Sequence, residues 1–438
     1  MLIRENTQRS IEIIKTIWLN ANDTFPVNLS MVSSEQQLHN ENYIDQISEA
    51  FHKQMNSIPK LPFRRKKWSK KTEAFLMEML REEQIIGIHN AMKPQELESF
   101  YKELMEFTKN ARQFAPELSF GELGQAIRNY IVYAMFKVIN RNSSACDSIV
   151  SPGSGCKNTD LNRTGSDRIG YSKAAFGYSM LYPFTDNYID TIANTFSDKQ
   201  EYNQLIRDTI EGKSIHWKDT YSKKTHLLLK AIEEEYPREK DNGIYTLLLM
   251  MLEAQEDSLG QQSKSIRLTL EQRLDISLLK GGVSVLIDRY LVNKPLTEED
   301  YLFYLGFGFF LQLADDLQDI GEDSTNGYQT IFTLDLEKSC EERTVNKLLN
   351  FLHDIMEAYS AENNVFKDFV KQSSYHLIYS SVIGSREFFS EEYLLHIEKL
   401  LPVSVPYLEK TKAGFIEKQD KTTQDQYMKL LDCLVLYP

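Results

Sequence analysis

FGFFLQLADDLQDIGED, residues 307–323, joins an apolar segment directly to a cluster of acidic residues. The apolar segment begins at Tyr301, and its apolar residues lie on every side of a helix, which is typical of a helix at the centre of a protein. A capping box, Thr297 followed by Asp300, comes just before it and predicts where this helix begins. We therefore expect a buried central helix that runs from this capping box to about Asp319.

The rest of the chain favours helices over strands. Its 438 residues include only 19 glycines and 12 prolines, and no series of short alternating segments separated by turn residues. Apolar residues recur at steps of three and four instead, which is the period of an amphipathic helix. We expect helices in these segments: 122–140, 267–292, 338–359, 366–389 and 391–400. The sequence thus predicts an all-α fold, divided into an N-terminal helical extension, residues 1–115, and a helical domain, residues 116–438.

Composition excludes several classes of protein. Hydrophobic residues make up 42% of the chain and charged residues 26%, as in an ordinary globular protein. The formal net charge of −13 is unfavourable for binding nucleic acid, which requires Lys and Arg to neutralise phosphates. The N-terminus lacks the apolar core of a signal peptide, and the longest apolar stretch, residues 301–314, is shorter than the roughly 18 residues that span a bilayer. We expect a cytoplasmic protein that binds no nucleic acid and has no transmembrane segment.

Two segments interrupt the helical pattern. Residues 143–170 are rich in Gly, Ser, Asn and Thr and predict a long polar loop, which is a candidate lid over a bound ligand. Residues 60–71, KLPFRRKKWSKK, contain seven Lys and Arg residues in a chain that is acidic as a whole. Such a segment contacts a membrane surface or a phosphate group in some proteins and is a solvated connector in others. Both interpretations of residues 60–71 stay open at this point.

Three acids end the central helix. Asp315 and Asp319 are four residues apart, and Asp316 and Asp319 are three apart, so all three lie on one face of a helix. Like charges at this spacing repel one another unless a cation binds between them. Hard divalent cations such as Mg²⁺ prefer a few carboxylates together with phosphate oxygens. The alternative interpretation is a helix that simply ends in water.

A second pair of acids, Asp186 and Asp190, is again four residues apart and follows an aromatic segment that contains Pro183. Two helices that face one another across a bundle, each with such a pair, would form an Mg²⁺ site for a diphosphate. Other common catalytic motifs are absent, because the chain has no complete P-loop, no HExxH and no GxSxG sequence. The paired acids are therefore the strongest chemical signal in the sequence.

These two segments resemble the aspartate-rich motifs of the class I isoprenoid synthases, a superfamily that includes prenyl diphosphate synthases, squalene and phytoene synthases, and class I terpene synthases. Residues 310–319, FLQLADDLQD, resemble the second motif, including its Phe-x-Gln lead-in. Residues 182–195, YPFTDNYIDTIANT, are most similar to the first motif of large bacterial terpene synthases of the tetraprenyl-curcumene synthase type. The resemblance covers roughly residues 120–325 and implies an α-helical bundle with an active-site cavity between its helices.

The resemblance also implies ligands and the residues that bind them. Mg²⁺, as three ions or with Mn²⁺ in its place, would be held by the catalytic carboxylates of Asp186, Asp190, Asp315, Asp316 and Asp319. A linear prenyl diphosphate would be bound by Lys280, Arg128, Arg168, Tyr182, Phe184, Phe307 and Gln312. The simpler interpretation is that these cations lie on the surface and these aromatic rings in the core.

Departures from the family's patterns leave three functions open. The chain lacks the arginine pair that follows the first motif in chain-elongating prenyltransferases, and it lacks the Asn-Ser-Glu triad of plant and fungal terpene cyclases. The first expectation is a terpene synthase that cyclises or rearranges one prenyl diphosphate. The second is a trans-prenyltransferase that joins two isoprenoid diphosphates, and the third is a non-catalytic helical interaction protein. The family further implies a homodimer, and a lipophilic substrate would suit loose contact of residues 60–71 with a membrane surface.

Overall fold

The structure, a computed structural model, describes the following residues: 2–27, 29–82, 85, 87–140, 171–190, 195–262, 267–292, 295–334, 336, 338–417 and 421–436. Every regular element within these residues is helical, and none is a strand. The predicted all-α fold is thus confirmed. None of the described helices has both the length and the apolar composition needed to cross a lipid bilayer.

The α-helices, numbered in chain order, are α1 (Leu2–Asn20), α2 (Ser34–Asn56), α3 (Pro62–Glu82), α4 (Ile88–Ala91), α5 (Pro94–Phe114), α6 (Phe120–Ile139), α7 (Lys173–Asp190), α8 (Phe196–Ile210), α9 (Thr220–Glu235), α10 (Gly243–Ser258), α11 (Leu270–Ser277), α12 (Val283–Val292), α13 (Glu298–Gln318), α14 (Ile320–Asn326), α15 (Lys338–Ala358), α16 (Asn364–Gly384), α17 (Glu391–Glu398), α18 (Val405–Glu417) and α19 (Lys421–Val435). A π-helical turn, Leu278–Gly282, connects α11 directly to α12 and is called the π-turn below. Two 3₁₀ turns, Leu259–Gln262 and Arg386–Phe388, follow α10 and α16. Helices occupy each of the five segments in which the sequence predicts them.

The chain forms two compact units. Unit 1 comprises Met1–Val27 and Asn129–Tyr393, and unit 2 comprises Asn28–Arg128 and Leu394–Pro438. This division differs from the predicted boundary after residue 115, because each unit combines helices from distant parts of the chain. In unit 1 the N-terminal helix α1 packs against α13, and in unit 2 the C-terminal helix α19 packs against α3 and α5. The division into two units therefore depends on the burial of apolar surface between segments that are distant in sequence. No local sequence pattern reports such contacts.

Helix α13 is the centre of unit 1. It packs against α1, the π-turn, α12, α15 and α16, and its residues 301–310 are buried except for Leu302. It begins with the predicted capping box, in which Thr297 N–H donates to the Asp300 carboxylate at 2.8 Å and Asp300 N–H donates to Thr297 Oγ1 at 3.1 Å. Arg289 of α12 donates two hydrogen bonds to the same carboxylate, at 2.8 and 3.0 Å. The predicted central helix, its start and its burial are therefore confirmed.

Two glycines let the π-turn and α13 touch through their backbones. A Cβ atom on Gly308 of α13 would meet the carbonyl oxygen of Gly281 and would lie 2.8 Å from Cα of Gly282. A Cβ atom on Gly281 would meet the carbonyl oxygen of Gly308 and would lie 2.7 Å from Cβ of Gln312. A side chain at either position would push the two segments apart. Because Gln312 lies one turn before Asp316, this contact places the π-turn beside the acidic end of α13.

Helix α7, which contains the predicted first aspartate motif, packs against α9 and α12 within unit 1. Gly177 makes the contact with α9 close, because a Cβ atom there would lie 2.5 Å from the carbonyl oxygen of Leu228. Tyr178 connects α7 to α12, since its hydroxyl donates to the carbonyl oxygen of Ser284 at 3.0 Å. These contacts fix α7 relative to α12, the helix that follows the π-turn.

Unit 2 has its own core, formed where α3 meets α19. Trp68 of α3 is buried with four residues of α19: Leu430, Cys433, Leu434 and Val435. The Trp68 indole N–H donates to Ser57 Oγ at 2.9 Å, and Arg112 of α5 donates to the carboxylate of Asp432 in α19 at 2.8 Å. These contacts hold α3 with one side turned toward the core of unit 2.

Replacing Gly308 with alanine should destabilise the protein. The added methyl group has no space against the π-turn, so we expect the free energy of unfolding to fall by about 1–3 kcal/mol. Gly384, the last residue of α16, is the matched control because no atom lies within 4 Å of a Cβ there, and alanine is the better helix former. Denaturant unfolding of both variants measures the difference. Equal stability of the Gly308→Ala variant and the unchanged protein would contradict the close backbone contact.

Candidate functional site

Four acids follow one another at the end of α13 and in α14, and we call them the acidic cluster: Asp315, Asp316, Asp319 and Asp323. Helical hydrogen bonds continue across the junction of the two helices, since Asp319 N–H donates to Asp315 O at 3.0 Å and Asp323 N–H donates to Asp319 O at 2.8 Å. Residues 315, 319 and 323 therefore share one helical face. Asp315 is exposed and Asp319 is half-buried. Asp316 and Asp323 are almost fully buried, with 5% and 9% of their surface exposed.

The burial of Asp316 and Asp323 does not fit a helix that simply ends in water. The site predicted from the sequence includes Asp316 but leaves out Asp323. A signal for Asp323 is present in the sequence, because it continues the four-residue spacing of Asp315 and Asp319. The structure therefore extends the predicted set of acids by one residue.

Burial makes Asp316 a weak acid. It raises the pKa of Asp316 to about 7, and the negative charges of Asp315 and Asp323 add to this effect. A hydrogen bond from Gln312 and the positive charge of Lys280 lower the same pKa. Near neutral pH, a cation bound close to Asp316 would therefore decide whether this carboxyl group is charged.

Burial and neighbouring charges also raise the pKa values of Asp323 and Asp319. The pKa of Asp323 is raised to about 7, first by burial and then by the charges of Asp319, Asp315 and Glu322, while Lys280 lowers it. The pKa of Asp319 is raised to about 6, again first by burial and then by Asp315 and Glu322. Each acid thus disfavours the ionised form of its neighbours, and a bound cation would relieve this repulsion.

Asp316 has one oxygen with a hydrogen-bond partner and one without. Gln312 Nε2 donates to Oδ1 at 2.9 Å, which fixes the direction of the carboxylate. Oδ2 is buried and accepts no hydrogen bond from the described residues. A buried polar atom without a partner costs free energy, so this oxygen is suited to a bound cation or an incoming donor.

Lys280 is half-buried on the π-turn, near enough to the acidic cluster for its charge to act on Asp316 and Asp323. Its charge lowers the pKa of both Asp316 and Asp323, so its ammonium group acts on two carboxylates at once. The backbone contact of Gly281 with Gly308 brings it there. π-helical turns inside α-helices are frequent at functional sites, and this one contains Lys280.

The described residues contain no preformed metal site, since no three or more of their His, Cys, Asp and Glu side chains are arranged to hold an ion. Mg²⁺ commonly takes one or two carboxylates and completes its shell with water and phosphate oxygens. Asp316, with its unpartnered Oδ2, and the exposed Asp315 next to it in sequence fit such a partial set of ligands. The binding of Mg²⁺, or of Mn²⁺ in its place, stays a prediction.

Asp186 and Asp190 belong to the last two turns of α7, but their side chains are outside the described part of the structure. Tyr178 of α7 contacts α12. Asp186 lies eight residues further along α7 than Tyr178, or roughly 12 Å along the helix axis. Lys280 precedes Ser284, the residue that Tyr178 contacts, by four residues. Both aspartate motifs therefore lie in unit 1, and the meeting of the two pairs of carboxylates stays a prediction.

Two of the aromatic rings predicted to bind substrate are enclosed by protein. Phe307 is fully buried and packs against Phe136 and Phe310, with ring centroids 5.9 and 5.5 Å away. Phe184 is also fully buried, and its ring lies 4.9 Å from that of Tyr221. Because neither ring exposes surface to an open cavity, both are core residues in this structure, as the simpler interpretation expects.

The other residues predicted to bind substrate lie in different places. Tyr182 is half-buried on α7, and the amide of Gln312 donates to the acidic cluster. Arg128 is exposed on α6 and belongs to unit 2. Arg168 lies outside the described residues. Lys280 is thus the predicted cation that the described structure brings to the acids.

A further buried acid, Asp288 of α12, is not marked by any motif in the sequence. Its Oδ1 has no hydrogen-bond partner among the described residues. Burial raises its pKa well above the usual value for aspartate, which favours the neutral form. Asp288 lies one turn after Ser284, and when it is ionised its charge adds to burial in raising the pKa of Tyr178. The contact between α7 and α12 therefore contains a further weak acid, in addition to those of the acidic cluster.

Comparison with known proteins gives no match, whether with family models, with curated proteins or with solved structures. The resemblance of residues 120–325 to class I isoprenoid synthases consequently rests on the two motifs themselves.

The stability of the metal-free protein should depend on pH through Asp316. Its pKa is about 7 in the folded protein against an ordinary 3.8, so between these values the folded state keeps a proton that the unfolded state has released. The free energy of unfolding should therefore fall as the pH rises from about 4 to about 7. The Asp316→Asn variant lacks this titration, so it should gain stability relative to the unchanged protein over the same interval.

Unfolding in EDTA at about pH 4.5 and about pH 7.5 measures this difference. Glu362→Gln changes an exposed acid of the same unit and should follow the unchanged protein at both pH values. If the stability difference between Asp316→Asn and the unchanged protein is the same at both values, Asp316 does not titrate in this range and its assignment as a weak acid is wrong.

Proposed function

We propose that this protein is a class I terpene synthase, which ionises a linear prenyl diphosphate with Mg²⁺ and cyclises or rearranges the resulting carbocation. The observation that most supports this is the buried carboxylate of Asp316, which has one unpartnered oxygen and whose pKa is lowered by the nearby charge of Lys280. A diphosphate bound with a divalent cation needs both kinds of group, carboxylates for the cation and an ammonium group for phosphate oxygens. The end of α13 and the π-turn together supply both.

The chain's own groups have distinct parts in this proposal. The carboxylates that would hold Mg²⁺ are those of Asp186, Asp190, Asp315, Asp316 and Asp319. Bound Mg²⁺ would neutralise the charge that develops on the departing diphosphate. Lys280 would bind diphosphate oxygens and stabilise the same charge as the carbon–oxygen bond breaks. Gln312 would keep the carboxylate of Asp316 in a fixed direction through its hydrogen bond at 2.9 Å.

A carbocation also requires a site from which water is excluded, since water would capture it as an alcohol. Helix α13 surrounds its acids with buried apolar side chains, those of Leu313, Ala314 and Leu317. Aromatic rings stabilise a nearby positive charge, and Tyr182 keeps part of its surface accessible one turn before Asp186. Tyr182 would form part of the wall around the reacting carbon chain, and the three buried apolar side chains would keep water away from the acids.

A trans-prenyltransferase is the second candidate function. Lys280 supports this function, because the residue resembles the diphosphate-binding lysine of prenyltransferases. Acids such as those of residues 315–319 occur both in prenyltransferases and in the large terpene synthases. The missing arginine pair after Asp190 favours the terpene synthase. The third interpretation, a non-catalytic protein whose acids end in water, does not fit the burial of Asp316 and Asp323.

Turnover of single substrates tests the proposal. The purified chain is incubated with MgCl₂ and, one at a time, with geranyl, farnesyl, geranylgeranyl and geranylfarnesyl diphosphate, and pyrophosphate release and hydrocarbon products are measured. We expect a cyclic or rearranged product from one of these substrates alone. Activity that requires isopentenyl diphosphate and yields a longer chain would show a prenyltransferase instead. No pyrophosphate release with any of these substrates, either alone or together with isopentenyl diphosphate, would contradict both enzymatic functions.

Substitutions connect this activity to the acidic cluster. Asp316→Ala and Lys280→Ala should each lower kcat by about 100-fold or more, since each removes a group that would stabilise the departing diphosphate. Glu362→Ala removes an exposed acid of unit 1 and should leave kcat within about twofold. Circular dichroism checks that each variant is folded. An unchanged kcat in the Asp316→Ala variant would exclude the acidic cluster as the place of ionisation.

A further inference from the structure

The start of α3, in unit 2, has a concentrated positive charge. Residues 60–71 include seven Lys and Arg residues and no Asp or Glu, in a chain whose formal net charge is −13. Six of these cations are exposed: Lys60, Arg64, Lys66, Lys67, Lys70 and Lys71. We call these six residues, together with Leu61 and Phe63, the basic face.

The opposite side of the same helix holds the basic face in place. Trp68, Ser69 and Thr72 are buried in unit 2. Ser69 Oγ donates to the carbonyl oxygen of Leu434 at 3.2 Å, and the Trp68 indole donates to Ser57 Oγ at 2.9 Å. Residues 62–71 are therefore part of a folded helix with one side in the core and the other in solvent, and they are not the solvated connector that the sequence left as an alternative.

No acid of the described structure neutralises the basic face. Ion pairs described within unit 2 join other residues, such as Arg81 with Glu98 and Arg112 with Asp432, and none of the six exposed cations pairs with a described acid. The next acid along α3, Glu73, is half-buried. Like charges this close along a helix repel one another. The basic face is thus suited to a partner that presents many negative charges at once.

Two apolar side chains lie next to these charges. Phe63 is 75% exposed and Leu61 is 48% exposed. The guanidinium group of Arg64 lies 5.7 Å from the centre of the Phe63 ring. Exposed aromatic and leucine side chains beside Lys and Arg are typical of segments that enter the headgroup region of a bilayer. A nucleic-acid duplex offers the negative charge but no apolar layer for these two side chains.

We propose that the basic face binds the surface of a lipid bilayer that contains anionic lipids. The Lys and Arg side chains contact the anionic headgroups, and Leu61 and Phe63 enter the boundary between headgroups and acyl chains. The proposal is independent of the proposed catalytic function, because it rests on unit 2 alone and its test needs no substrate. For an enzyme of prenyl diphosphates, such binding would bring the protein to the phase in which lipophilic chains dissolve.

Vesicle flotation tests the proposal with the purified full-length protein. We expect the protein to float with vesicles of phosphatidylcholine and phosphatidylserine, and to stay in the dense fraction with vesicles of phosphatidylcholine alone. Binding should weaken as the salt concentration rises, because salt screens charges at an exposed surface. Absence of binding to the anionic vesicles at low salt would overturn the proposal.

Charge reversal identifies the surface that binds. The test variant combines Lys66→Glu, Lys67→Glu and Lys70→Glu. The control variant makes the same change in net charge at three exposed lysines that are not part of the basic face: Lys240→Glu, Lys399→Glu and Lys410→Glu. We expect the test variant to bind anionic vesicles at least about 100-fold more weakly and the control within about threefold. An equal loss in both variants would overturn the assignment to the basic face.

Two further measurements separate a bilayer from other partners. Phe63→Ser leaves the charge unchanged and should weaken vesicle binding by about tenfold, because an apolar side chain no longer enters the bilayer. An unchanged affinity would overturn the insertion of Phe63. A DNA duplex of arbitrary sequence is the competing anion, and duplex binding through the same lysines without vesicle binding would show that the basic face recognises nucleic acid instead.

Discussion

The backbone contact between Gly281 and Gly308 is the feature on which the rest of unit 1 depends. Because neither residue has a side chain, the π-turn lies directly on the central helix, and Lys280 acts on the acids that follow further along α13. At the other end of α13, the carboxylate of Asp300 is held by Arg289 and by the capping box. The central helix is thus fixed at its start and at its middle, and the acidic cluster has a defined position relative to the π-turn.

The acidic cluster lowers the stability of the folded protein when no ligand is bound. Burial and mutual repulsion raise the pKa of three of its four members, and Asp316 has a buried oxygen without a partner among the described residues. Folds tolerate such local costs chiefly where they serve a function. A divalent cation bound at the acidic cluster would offset this cost, since its positive charge neutralises the acids.

The parts of this arrangement that could be predicted from the sequence are those with a local signal. The central helix and its acids could be predicted because their signals lie in neighbouring residues. These signals are the helical periodicity, the capping box and the spacing of residues 315–319. The burial of Asp323 and Asp288, and the division into two units, depend on which distant segments pack together. The sequence left Phe307 open between the core and the substrate site, and its packing against Phe136, a residue distant in sequence, places it in the core.

Calorimetric titration with inorganic pyrophosphate tests the central claim most directly, because it requires no knowledge of the prenyl chain. If the acidic cluster and Lys280 form a diphosphate site, pyrophosphate should bind in the presence of Mg²⁺ and far more weakly in EDTA. The Asp316→Asn variant should lose the Mg²⁺-dependent binding, and the Glu362→Gln variant should retain it. Pyrophosphate binding that neither Mg²⁺ nor Asp316→Asn alters, or no binding at all, would contradict the assignment of this site.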